Sequence, residues 1–142
     1  MATLNHEDVE VLAVHASATP PSMDIGVDEI RRWHLKRGWL DVGYHYVIRR
    51  DGTLEEGRAL DTRGAHVAHH NHRSIGICLV GGVTEESVEV AEANFTFAQY
   101  KTLKSLLDYL KDHFPNATIQ GHRDFPNVAK ECPSFNVQAF ME

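Results

Sequence analysis

Three residues far apart in the chain carry the chemistry of a metal site. His15 closes the apolar run Val11-Leu12-Ala13-Val14, His122 stands in Gln120-Gly121-His122-Arg123-Asp124, and Cys132 stands in Lys130-Glu131-Cys132-Pro133. Two imidazoles and one thiolate suit zinc, and three protein ligands leave the fourth position to the water that reacts, whereas structural zinc sites are usually closed by four. If the three converge, the chain is a hydrolase. Each residue alone has a plainer reading. A strand-end histidine is ordinarily packed or hydrogen-bonded, and a lone cysteine is ordinarily a buried thiol, which is how Cys78 reads inside its apolar run. The run His66-Val67-Ala68-His69-His70-Asn71-His72 holds four histidines in seven residues. It offers no helical pairing with a third ligand and no nearby cysteine, so solvated loop histidines are the default.

The elements that must position these groups are legible from periodicity. Val9 to Val14 is apolar and β-branched on both faces, as in a strand of a covered sheet, with His15 at its C-terminal end. After a loop at Ala18-Thr19-Pro20-Pro21, residues Val27 to Arg37 predict a helix with Val27, Ile30, Trp33 and His34 on one face and Gly38 placed to end it. Tyr44 to Arg50, Asp51-Gly52 and Thr53 to Glu56 predict a hairpin. Ser74 to Val80 reads as a second buried strand, closed by Gly81-Gly82. Phe97 to Phe114 is the clearest helix: Thr96 and Gln99 match a capping box, and Tyr100, Leu103, Leu106, Leu107, Leu110 and Phe114 form one stripe. Thr118 to Gln120 is a short strand that delivers His122 just past its end. This mixed order predicts a single α/β (mixed α+β) domain over residues 1–142, a central, mostly buried β-sheet covered by helices. Both histidines then fall at C-terminal strand ends, the edge where open sheets build their sites.

Composition excludes several alternatives. The chain has 142 residues, 42% of them hydrophobic, enough for one domain with its own core. A formal charge of -6 argues against a long-range field for nucleic acid or an anionic membrane surface. No apolar stretch approaches the roughly 18 residues needed to span a bilayer. The first residues carry acids and no basic segment, so no signal peptide is expected and the protein reads as cytoplasmic. Two cysteines make no disulfide framework, and reduced thiols are expected. No G-x-G-x-x-G or P-loop follows a strand, which disfavours a nucleotide-binding domain.

Six segments appear together and in order. They are His15-Ala16-Ser17-Ala18-Thr19, Gly38-Trp39-Leu40-Asp41-Val42-Gly43-Tyr44-His45-Tyr46, Arg50-Asp51-Gly52, Ser74-Ile75-Gly76-Ile77-Cys78-Leu79-Val80-Gly81-Gly82, Gly121-His122-Arg123-Asp124 and Lys130-Glu131-Cys132-Pro133-Ser134-Phe135. Over nearly its whole length the chain resembles the type-2 family of zinc-dependent N-acetylmuramoyl-L-alanine amidases, which includes peptidoglycan recognition proteins, and within it the amidase-type lysozymes (endolysins) of small tailed phages. The resemblance implies one Zn2+ per chain held by His15, His122 and Cys132, with Tyr44 and Lys130 beside the metal as catalytic residues. It aligns Gly64-Ala65-His66 and Asn71 with a segment bordering the cleft, which makes His66 a candidate for substrate contact. The reaction it implies is hydrolysis of the amide between the lactyl group of N-acetylmuramic acid and L-alanine in peptidoglycan. Zinc lowers the pKa of its water far below that of bulk water, to about 7, and amide cleavage also needs a stabilised oxyanion and a proton for the departing amine. Lys130 is assigned to the first task and Tyr44 to the second, though the two could be exchanged. Asp124 could orient a ligand histidine or simply bond its own backbone, and Trp39 and His45 are further candidates for the cleft.

The same resemblance implies a monomer that reaches the host cell wall once the inner membrane is permeabilised, with no direct nucleic-acid binding. It leaves open a phage RNA polymerase as a second partner, bound away from the zinc. A different class, a peptidoglycan-binding module without catalysis, is expected of relatives that lack the cysteine; the presence of Cys132, Tyr44 and Lys130 favours the enzyme.

Overall fold

A computed structural model describes residues 1–125 and 132–141. Five strands form one mixed sheet: β1 (Val11–Ala16), β2 (Tyr46–Ile48), β3 (Leu54–Glu56), β4 (Ser74–Leu79) and β5 (Thr118–Gly121), in the order β3-β2-β4-β1-β5. β1 runs parallel to both β4 and β5, and β2 parallel to β4; only the β2-β3 hairpin is antiparallel. Central parallel strands are covered on both faces, which is why β1 and β4 are buried along their whole length.

Alternation along the strands sends residues to opposite faces. On one face Leu12, Val14, Ile75, Ile77 and Leu79 pack with Leu103, Leu106, Leu107 and Leu110 of α2 (Phe97–His113). α2 begins on the expected capping box: Gln99 N–H donates to Thr96 Oγ1 and Thr96 N–H donates to Gln99 Oε1. On the other face β1 presents Ala13 and His15 opposite Gly76 and Cys78 of β4. Here α1 (Val27–Lys36) covers the sheet with Val27 and Ile30.

α1 ends as the glycine predicts. Gly38 adopts a φ of +88°, its N–H donates to the Leu35 carbonyl, and the Trp39 N–H reaches back to His34. That pair of bonds closes the last turn and swings Trp39 and the following loop toward the sheet edge. Element bounds differ from the sequence reading by one or two residues. β1 starts at Val11 and takes in His15, because its ladder partners begin at Ser74 and Thr118. A short helix α3 (Val137–Met141), which the sequence reading lacks, packs Val137 into the α2-side core. No helix among the described residues is long and apolar enough to cross a membrane.

Candidate metal centre and its cleft

His15 is carried by β1, His122 opens a short helical turn immediately after β5, and Cys132 follows from the C-terminal segment. Because β1 and β5 are parallel neighbours, their C-terminal ends lie side by side, and the two imidazole rings come to 4.6 Å between centroids. The Ala16 N–H donates to Cys132 Sγ at 3.0 Å, which ties the C-terminal segment back to the end of β1. One ligand atom from each of His15, His122 and Cys132 falls within 4.8 Å of the other two, and this is the only such cluster among the described residues. Four-coordinate zinc, with bonds of about 2.1 Å to nitrogen and 2.3 Å to sulfur, sets its ligand atoms roughly 3.5 Å apart. The group therefore needs at most about 1.3 Å of contraction to close on one ion. Its donor set, two nitrogens and a sulfur, fits zinc rather than magnesium or calcium, which take oxygen.

The three residues stand in a cleft of about 260 Å³ that they share with Tyr44, His66, His34, Trp33, Arg37 and Trp39. Tyr44 places its ring 5.2 Å from that of His15. Burial, reinforced by the neighbouring sulfurs of Cys78 and Cys132, pushes its phenol well above its ordinary value, so at neutral pH it holds its proton and acts as a donor. At the far end the Arg37 guanidinium lies 5.5 Å from the centre of the Trp39 ring. His34 is kept neutral in the cleft wall. Its Nδ1 accepts from the Gly43 N–H at 2.8 Å, and burial, with Arg37 and Arg58 nearby, lowers its pKa to about 4.

His66 lies against the metal cluster. Its Nδ1 is 2.8 Å from His15 Nε2, and its backbone N–H, like that of Val67, donates to Asn71 Oδ1. Burial drives its pKa well below the ordinary value, with His45 beside it in the same direction. The rest of the histidine run forms no metal cluster among the described residues; His70 instead accepts from Arg73. Cys78 is fully buried and burial pushes its thiol up, the plain reading given to it from sequence. Asp124 takes the turn role, accepting from the Gly121 N–H at 2.9 Å. Trp39 does line the cleft, whereas His45 is fixed behind it, bonded to the Thr62 carbonyl and the Gly76 N–H. Lys130 lies outside the described residues.

Sequence reasoning missed Trp33 and Arg37 as cleft residues. Trp33 was assigned to the apolar face of α1, yet on a helical wheel it sits about 90° from the centre of the stripe made by Val27, Ile30 and His34. It is 38% exposed. That offset, together with a cationic residue one turn later, was the available signal.

A family profile described as N-acetylmuramoyl-L-alanine amidase matches residues 5–135. The endolysin of Klebsiella phage KP32 is 48% identical over 136 residues, a span of 96% of this chain and 87% of that protein. Among solved structures, the N-acetylmuramoyl-L-alanine amidase LysC from Clostridium intestinale superposes with a TM-score of 0.76 at 26% identity, covering 99% of this chain and 87% of its own. A Drosophila peptidoglycan recognition protein, PGRP-LB, gives a TM-score of 0.70 at 27% identity over 88% of this chain and 74% of its own.

Proposed function

The chain belongs to the N-acetylmuramoyl-L-alanine amidase family, and from that premise we propose that it is a zinc-dependent endolysin of the phage type. In this reading it cuts the amide between the lactyl group of N-acetylmuramic acid and L-alanine, with His15, His122 and Cys132 as the metal ligands. The observation that carries the proposal is the convergence of those three side chains in one cleft, His15 lying more than a hundred residues before the other two in sequence.

When bound, zinc supplies Lewis acidity that brings the pKa of a water into the neutral range and polarises the scissile carbonyl. The chain's own residues do the rest. Tyr44, held in its protonated form, lines the cleft beside His15 and is assigned to pass a proton to the departing amine of L-alanine. Lys130 is assigned to the developing oxyanion, where a fixed positive charge acts most strongly in a water-poor site. Trp33 and Trp39 give the groove apolar faces for the glycopeptide. Arg37 supplies positive charge for the carboxylates of a peptide stem, which the chain's net charge of -6 would otherwise repel. The enzyme reaches its substrate once a separate pore opens the inner membrane; active protein outside cells that lack a pore-forming partner would contradict that step.

Digestion of purified peptidoglycan before and after chelation tests the reaction. New amino termini without new reducing sugars, lost on chelation and restored by zinc, are expected. New reducing ends would indicate glycosidic cleavage and remove the bond assignment.

A further inference from the structure

Beneath the ligand histidine lies a chain of hydrogen bonds whose protons can be assigned one by one. Ser74 Oγ donates to the His70 carbonyl at 2.8 Å. A hydroxyl has one proton, so at its 3.3 Å contact with His66 Nε2 the same oxygen accepts. His66 therefore carries its proton on Nε2 and offers a lone pair at Nδ1. Across the 2.8 Å contact that lone pair receives the proton on His15 Nε2. A neutral imidazole protonated at Nε2 has its lone pair on Nδ1.

We propose that His66 is a positioning residue that fixes the tautomer of His15, selecting Nδ1 as the nitrogen presented to the metal, and does so through a relay anchored at Ser74. This rests on the zinc reading above and assigns His66 a task there other than touching substrate. Ligand histidines generally give their second N–H to an acceptor that sets ring orientation and basicity. Here that acceptor is a second imidazole, itself oriented by a serine.

The fold makes room for this ring at visible expense. Ala13 of β1 and Gly76 of β4 are register partners on the face that His66 covers. A Cβ on Gly76 would fall 2.6 Å from His66 Cγ, and a Cβ on Gly64 would fall 2.6 Å from its Cδ2. A glycine in the middle of a buried strand weakens the strand, and close approach of another group is the usual reason for one. The ring is thus gripped between two glycines from separate segments, while Asn71 holds the backbone that carries it. A loosely placed loop histidine needs none of this.

The test uses the intact chain in metal-free and zinc-loaded forms. Nitrogen NMR of the metal-free protein should find His15 and His66 both protonated at Nε2; a His15 protonated at Nδ1 would overturn the proposal even if zinc binds. Competition against a chromophoric chelator should show zinc affinity about 10- to 100-fold weaker in His66→Phe, the range found when such supporting partners are removed. His66→Asn, whose Oδ1 falls near the place of Nδ1, should recover most of that loss. Unchanged affinity in His66→Phe would overturn the proposal while leaving the zinc reading intact, whereas absence of zinc binding by the unaltered protein would overturn both. Should His66→Phe fail to fold, Ser74→Ala carries the test: it removes only the terminal acceptor, and the Nε2 protonation of His15 should become mixed, with an unchanged tautomer counting against the relay. Gly76→Ala should mimic His66→Phe by pushing the ring aside, and should cost no further affinity when combined with His66→Ala.

Discussion

On the α2 side of the sheet, Leu12, Val14, Ile75, Ile77 and Leu79 meet a stripe of leucines in one buried apolar cluster. On the opposite side, the same two strands present Ala13, His15, Ser74, Gly76 and Cys78; apolar side chains such as Val27, Ile30, Val67 and Phe125 cover part of this face, and on the rest His15, His66 and His45 are held by directed hydrogen bonds to one another, to Ser74 and to the Gly76 N–H. One pair of strands thus supports two kinds of order. The apolar face tolerates exchange of one hydrophobe for another of similar volume at small cost. The polar face does not, because each neutral imidazole there has a single N–H proton to place on one of its two nitrogens, and a buried donor without an acceptor costs about 1–3 kcal/mol.

That contrast predicts that the faces can be damaged separately. Cys132→Ser should abolish turnover and zinc retention while leaving the metal-free fold intact, as seen by unchanged circular dichroism and an unchanged unfolding midpoint; a variant with full activity and no metal would contradict the mechanism. Tyr44→Phe should keep zinc and fold but lower kcat by about 10²- to 10⁴-fold, the usual span for a lost proton donor. Lys130→Ala is expected to lower the rate with zinc retained, read from steady-state kinetics and metal content together. From the other face, Leu107→Ala should cost about 2–5 kcal/mol in urea unfolding by opening a cavity. The zinc affinity of its folded fraction should not change, and a parallel loss of affinity would show that the two faces are not independent.

A further effect concerns acid. His34 and His45 have pKa values of about 4 in the fold against an ordinary 6.5, in both cases chiefly through burial. Below pH 6.5 the unfolded chain takes up protons that the folded chain refuses, so each histidine subtracts stability as pH falls and the penalty is complete below about 4. At pH 5 it reaches up to about 2 kcal/mol per residue. Urea midpoints of the metal-free protein should fall from pH 7 to pH 5, with the buried His66 adding to the loss from these two, and imidazole NMR should find the His34 and His45 rings still neutral at pH 5.

The apolar face was readable in advance because its signal is periodic. Leu103, Leu106, Leu107 and Leu110 recur at helical spacing, Thr96 and Gln99 mark the start of α2, and Asp51-Gly52 marks the hairpin, so burial and capping follow from local order. Gly38 likewise announced the end of α1. On the polar face only residue types were legible. His15, His122 and Cys132 stood out as metal-ligating groups, but nothing periodic says that they meet; that depends on β1 and β5 being parallel neighbours. Gly76 looked like one more small residue in a strand, since its meaning lies in a ring brought from a different segment. Trp33 was misplaced because a residue at the margin of a helical stripe can face either core or cleft, and the choice is made by the tertiary packing of α1.

X-ray absorption at the zinc edge tests the central claim most directly. One sulfur at about 2.3 Å with imidazole nitrogens at about 2.0–2.1 Å and one further light atom is the predicted first shell. A shell of light atoms alone in the unaltered protein, or one closed by several sulfurs, would contradict the account.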